Sequence, residues 1–156
     1  NIMRRRRPEK RTILPDTKYN DLSVAKFINY IMESGKKGVA EKIFYGAMDI
    51  IQNKTKTDGL KIFKKGIENT SPSVEVKSRR IGGATYQVPI EVPRNRGFYL
   101  ASLWIIKASN NSSGKPMADK LASELIAAAN GDGNAIKKKE DTHRMADANK
   151  AFAHFR

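Results

Sequence analysis

One stretch fixes more of the architecture than any other. Val74 to Val92 reads VEVKSRRIGGATYQVPIEV, apolar and polar in turn up to Gly82-Gly83 and in turn again beyond it. A period of two means strand. A glycine pair between two such runs means a hairpin, because glycine takes the positive φ of a tight tip without strain. The chain therefore has one two-stranded ribbon and no larger sheet to put it in. A lone ribbon is marginally stable in water, so its base has to pack on something else.

That something is helical. Asp21 is placed to cap a helix carrying Leu22, Ala25, Phe27, Ile28, Ile31 and Met32 at helical spacing, ended by Gly35. A second helix puts Val39, Ala40, Ile43, Phe44, Ala47, Met48 and Ile51 on one stripe, and Asn53 to Thr57 reads as a loop. Asp58 caps a third with Leu60, Phe63 and Ile67, stopped by Pro72. After the ribbon, Phe98 to Ala108 gives a helix with Leu100, Ala101, Leu103, Trp104 and Ala108 inward, and Ser109 to Ser113 a flexible turn. Pro116 suits a first helical position. Met117, Leu121, Leu125 and Ala128 then face the core until Gly131, and a last helix runs from near Asn134 through Ala146 towards Phe152. The expected fold is all-α: a bundle of about six helices with one protruding β-hairpin arm at 74–92 and a disordered basic N-terminal tail. Residues 1–20 form the extension and 21–156 a single domain.

The alternation puts Val74, Val76, Val88, Ile90 and Val92 on one expected face of the ribbon. Glu75, Lys77, Arg79, Thr85, Gln87 and Glu91 fall on the other. The valines near the base can pack, but Lys77, Arg79 and Arg80 at the tip cannot. Seven residues of strand span about 23 Å at roughly 3.3 Å each, enough to carry the tip beyond the bundle. Such an arm is built for an external surface, with Gly82 and Gly83 allowing close approach and Tyr86 available to stack on a base. The competing reading is a solvated hairpin whose charges discourage edge pairing.

The charge of the chain favours the external surface. With 30 Lys+Arg against 16 Asp+Glu, the formal net charge is +14, and nucleic acid is the leading anionic partner. Arg4, Arg5, Arg6, Arg7, Lys10, Arg11 and Lys18 crowd the first twenty residues, where Pro8 and Pro15 interrupt any helix. Gly35-Lys36-Lys37 lies between two helices, either as a phosphate site at a helix start or as a plain turn. Lys137, Lys138 and Lys139 are consecutive and so spread around their helix, with Glu140 and Asp141 beside them. A solvated face and an RNA contact fit them equally. Trp104 and the phenylalanines at helical spacing belong to the core. Tyr86 and Phe155, beside basic residues, are the better base-stacking candidates.

Several chemistries have no place here. The chain has no cysteine, hence no disulfide, thiolate metal site or thiol nucleophile. His143 and His154 have no ligand pattern around them, no P-loop or dinucleotide glycine motif is present, and nothing arranges a nucleophile with a base. No cofactor, metal or enzymatic activity is expected. No apolar run approaches the ~20 residues of a membrane span, and no apolar segment follows the N-terminal arginines to make a secretory signal.

Three long motifs in order carry a resemblance: GKKGVAEKIFYGA from Gly35, the ribbon, and KKKEDTHRMADANKAFAHFR at the end, with LPD at Leu14 to Asp16 and AKFIN at Ala25 to Asn29. Together they resemble the family of the seventh small-subunit ribosomal protein, bacterial type, over Lys10 to Arg156. The resemblance implies a helical bundle with a β-ribbon. It implies direct binding to the 3′ major domain of small-subunit rRNA, nucleation of head assembly, and a place near the mRNA exit path and exit-site tRNA. It also implies neighbours among the small-subunit proteins, notably the ninth and eleventh, no membrane, no homo-oligomer, and residence in a cytoplasmic or organellar ribosome.

By the same resemblance, the rRNA-facing residues are Arg4 to Arg7, Lys10, Arg11, Lys18, Lys36, Lys37, Arg94, Arg96, Lys115, Lys137 to Lys139 and Arg144. The arm near tRNA and mRNA comprises Lys77, Arg79, Arg80, Gly82, Gly83 and Tyr86, and the C-terminal contact Lys150, His154, Phe155 and Arg156. Ala108 to Lys115, ASNNSSGK, lacks the basic cluster expected of the family, and Asn95 to Phe98 is less basic than usual. A free-standing nucleic-acid regulator, such as an mRNA-binding repressor, is the alternative that fits the same charge.

Overall fold

The computed structural model describes Arg5 to Phe155. Arg4 and Arg156, named above as RNA contacts, lie outside the described residues. Six α-helices surround one another in the order α1 (Leu22–Ile31), α2 (Lys37–Thr55), α3 (Gly59–Thr70), α4 (Arg94–Asn111), α5 (Met117–Ala129) and α6 (Asn134–Ala148). Between α3 and α4 stand β1 (Val74–Ile81) and β2 (Ala84–Glu91), and a 3-10 helix covers Lys150–Phe155.

The core grows from the expected stripes. Phe27 of α1, Phe44 of α2 and Phe63 of α3 are fully buried and mutually edge-on or tilted, with ring centroids 5.0 to 5.7 Å apart, the arrangement that aromatic quadrupoles favour. Leu121 and Leu125 of α5 complete this core, and α5 packs on α2, α3 and α4. Small residues permit the closest approaches. A Cβ on Gly59 would stand 2.7 Å from the Met48 carbonyl oxygen, and one on Gly66 3.2 Å from that of Leu125. Asp21 and Asp58 cap α1 and α3 as expected, accepting from Ser23 N–H at 2.8 Å and Leu60 N–H at 3.3 Å. The start of α6 is capped from a distance: Glu124 of α5 accepts from the Ala135 N–H at 3.0 Å.

Several sequence boundaries need correction. Asn53 to Thr55 continue α2, where the Thr55 hydroxyl donates to the Ile51 carbonyl at 2.7 Å. Ser109 is likewise inside α4, buried, its hydroxyl donating to the Ile105 carbonyl at 2.8 Å. Back-bonding of this kind lets polar residues continue a helix whose packing is otherwise favourable. α4 also begins four residues earlier than expected, directly after Pro93, and Pro116 precedes α5 rather than opening it. Along α4, Leu100, Ala101 and Ala108 are buried as expected and Ile105 and Ile106 join them, with Leu103 and Trp104 only half-buried. The helix packs against α5, α6 and α3 at once, so its buried arc is wider than one stripe. Leu22 and Val39, expected inside, are 44% and 55% exposed.

The ribbon's faces are the larger correction. Gly82 (φ 58°) and Gly83 (φ 84°) form a two-residue tip, which pairs Ile81 with Ala84 and, counting outward, Val76 with Pro89 and Lys77 with Val88. Directly paired residues share a face. Val88, Ile90 and Tyr86 therefore lie with Lys77, Glu75 and Arg79, whereas Val74 and Val76 lie with Glu91 and Pro89. The strands carry their apolar residues on opposite faces. Val88 and Pro89, neighbours in sequence, are both buried.

Candidate nucleic-acid interface

The basic side chains are carried outward by three different devices. The first is a short anchored lead-in. Arg5 to Lys10 form neither helix nor strand and are exposed. Further along, Asp16 is buried and organises the chain around its carboxylate. It accepts from the N–H groups of Lys18 at 3.1 Å, Tyr19 at 2.8 Å and Asp21 at 2.8 Å, and from the Tyr45 hydroxyl of α2 at 3.0 Å. Asp16 to Tyr19 thus belong to the packed body rather than to a free tail. Burial, with the Asp16 bond and charge, pushes the Tyr45 hydroxyl up to about 12. Burial likewise raises Tyr19, with Asp49, Asp58 and Asp16 adding to it. Lys18 stands over both tyrosine rings, 5.8 and 5.2 Å from their centroids. Anchoring brings Arg11 beside Lys37: both line a cleft of about 470 Å³ with Asp16, Glu41 and Tyr45.

The second device is the helix ends. Lys36 precedes α2 and Lys37 opens it, with no side-chain cap on that N-terminus, and both are exposed. Arg94 and Arg96 occupy the first turn of α4, also without a side-chain cap. Arg96 is shared: it pairs with Glu75 at the base of the arm (3.4 Å) and lies over the Tyr99 ring at 5.4 Å. On α6, Lys137 and Lys138 are exposed, whereas Lys139 turns inward and donates to the Asn69 carbonyl at 2.8 Å. Arg144 pairs with Asp141 at 3.0 Å, leaving both exposed. Lys138 shares a cavity of about 280 Å³ with Lys107 and Asn111. Lys115 is exposed before α5. His143 has a structural partner, its Nε2 accepting from the Ser73 N–H at 3.1 Å.

The third device is the arm. Lys77, Arg80, Gly82 and Gly83 are exposed, and a Cβ at either glycine would meet nothing within 4 Å. Arg79 and Tyr86, cross-strand partners, are not free as expected. The C-terminal 3-10 helix lies against them: Arg79 donates to the Phe155 carbonyl, and the Tyr86 ring sits 5.2 Å from Phe152 and 5.0 Å from Phe155. The two rings read as base-stacking candidates thus pack on each other. Aromatic rings buried against one another shed more water than either would alone. His154 closes a local bond to the Ala151 carbonyl at 3.0 Å and lies beside the Phe155 ring, with Lys150 exposed at the start of the turn.

Sequence reading overlooked Lys64, Lys107, Tyr30 and Tyr99. Lys64 pairs with the Asp21 cap at 2.7 Å. Burial opposes ionisation of Asp21, but the Lys64 ammonium and the Val24 and Ser23 N–H groups overcome it and hold the carboxyl below its ordinary value. Tyr30 of α1 meets Tyr99 of α4 edge-on at 5.5 Å, both partly exposed. Its hydroxyl is raised by burial and by Tyr99. The helical spacing of these tyrosines was visible; their meeting across two helices was not. Among the described residues no group of His, Asp and Glu is placed to hold a metal, and no helix is long and apolar enough to cross a membrane.

Exposed cations at helix ends and on a glycine-tipped arm are the kind of groups that contact nucleic-acid backbones. Comparison with known proteins gives the family. The family model described as ribosomal protein S7p/S5e matches residues 3–150. The chain is 58% identical to the small ribosomal subunit protein uS7 of Gemmatimonas aurantiaca over 99% of both chains. It is 59% identical to that of Thermotoga maritima over 99% of both, and 59% identical to that of an Anaeromyxobacter species over 98% of both.

Proposed function

The chain belongs to the ribosomal protein S7p/S5e family, and from that membership we propose that it is an rRNA-binding structural component of the small ribosomal subunit. One observation carries the reading beyond the name. The excess positive charge is displayed on the outside of an apolar helical body, at helix ends and along an arm, where phosphates can reach it. Exposed arginines and lysines on rigid elements position a protein on an RNA backbone.

In this reading the body binds the 3′ major domain of small-subunit rRNA and helps the head assemble. The arm reaches towards exit-site tRNA and the mRNA exit path, and the ninth and eleventh small-subunit proteins are neighbours. The site residues are those of the sequence reading, with two changes of role. Arg79 and Tyr86 position the tail against the arm, and Lys139 braces α6 on α3. Bacterial relatives favour a cytoplasmic ribosome over an organellar one.

Sucrose-gradient sedimentation of a lysate tests the reading. Co-migration with the small subunit, persisting after a moderate salt wash, is expected. A chain found only in the soluble fractions would favour the free-standing regulator instead.

A further inference from the structure

A cavity of about 450 Å³ opens at the root of the arm, where α3, the Val92–Pro93 link after β2 and the start of α4 meet α1. Its volume lies within the ~300–1,000 Å³ of small-ligand sites. Its wall combines three kinds of group. Phe98 and Pro93 supply flat apolar surface. Ser23, Ser71 and Glu68 supply polar atoms, the Ser71 hydroxyl already donating to the Ile67 carbonyl at 2.8 Å and so left with acceptor capacity. Arg94 supplies the available positive charge, being exposed and making no ion pair among the described residues, whereas Lys64 is paired with Asp21.

From this combination we infer that the cavity receives one unpaired nucleotide of the RNA the protein binds. The base lies on Phe98, its edge meets the serine and glutamate oxygens, and its phosphate sits at Arg94. A flat hydrophobic surface beside a cation suits an unstacked base. Glu68 matches an exocyclic amino group and opposes a second phosphate, which sets the direction of entry: base inward, backbone at the Arg94 rim. The inference rests on the rRNA-binding reading and adds a base-receiving site to it.

Two variants of the full chain test it, with binding to a 3′ major domain transcript of small-subunit rRNA measured across salt. Phe98→Leu keeps an apolar side chain but removes the stacking surface. It is expected to weaken binding about tenfold with the salt slope unchanged. Arg94→Gln is expected to reduce the slope by about 0.7, one single-strand phosphate. A melting curve for each variant confirms a folded protein. Should Phe98→Leu unfold it, amide shifts of the wild-type chain titrated with AMP replace that arm: shifts at Ser71 and Phe98 that inorganic phosphate alone does not produce are expected. Wild-type binding with both variants indistinguishable from it would overturn the pocket and leave the rRNA reading standing. Failure of the wild type to bind the transcript would overturn both, whereas AMP shifts identical to those of phosphate would overturn the base contact alone.

Discussion

The Tyr45 hydroxyl donates to the Asp16 carboxylate at 3.0 Å, joining α2 to the lead-in 29 residues upstream. Among the described residues it is the one side-chain donor on a carboxylate otherwise held by N–H groups. Tyr45→Phe keeps the ring and removes the bond, at a cost of roughly 1–2 kcal/mol. The folded hydroxyl titrates at about 12 against an ordinary 10.0. A raised value means stability fully present below pH 10 and lost as pH rises through 12. The gap in melting temperature between wild type and variant should therefore be constant near neutrality and shrink between pH 10 and 12. A gap unchanged through that window would show that the folded surroundings do not raise the Tyr45 hydroxyl.

Gly59→Ala should be among the most damaging small substitutions. The added Cβ would meet the Met48 carbonyl oxygen at 2.7 Å, and a backbone atom cannot swing aside as a side chain does. Separating α2 from α3 should cost roughly 1–3 kcal/mol, visible in urea melts. Stability equal to wild type would mean the helices part without penalty.

Ser102 makes the opposite case. Its hydroxyl is fully buried in α4 and finds no hydrogen-bond partner among the described residues. Removing an unsatisfied buried polar group relieves a desolvation cost, so Ser102→Ala should be neutral or stabilising. A loss above about 1 kcal/mol would reveal a partner, such as an ordered water.

Within the arm, Val88 is fully buried and Val76 half-buried. Val88→Ala should cost roughly 1.5–3 kcal/mol and Val76→Ala clearly less. Equal costs would contradict the difference in burial between the two valines.

Arg79 and Arg80 should also part company. Both are exposed, so neither substitution to alanine should move global stability by more than about 0.5 kcal/mol. Arg79→Ala alone should speed amide exchange in Lys150 to Phe155, because it removes the donor to the Phe155 carbonyl. Identical exchange in the two variants would mean the aromatic contacts hold the tail unaided.

Much of this protein is local, and locality is what a sequence displays. The caps at Asp21 and Asp58, the phenylalanines at helical spacing and the glycine-tipped hairpin each depend on residues a few positions apart, so period and capping chemistry expose them directly. The charge excess likewise pointed to an anionic partner without any fold. Even the ribbon's register was within reach, because a two-residue tip fixes every pair outward from Ile81 and Ala84; pooling the valines by hydrophobicity concealed it. Tertiary structure decided the rest. Which basic groups are spent internally, as Lys139 is on Asn69 and Arg79 on Phe155, depends on partners about 70 residues away. The cavity at the arm's root draws its walls from α1, α3, the Val92–Pro93 link after β2, and α4. Distance along the chain carries no information about such meetings: they are selected by the packing of all six helices together, and one-dimensional periodicity records only which face each helix buries.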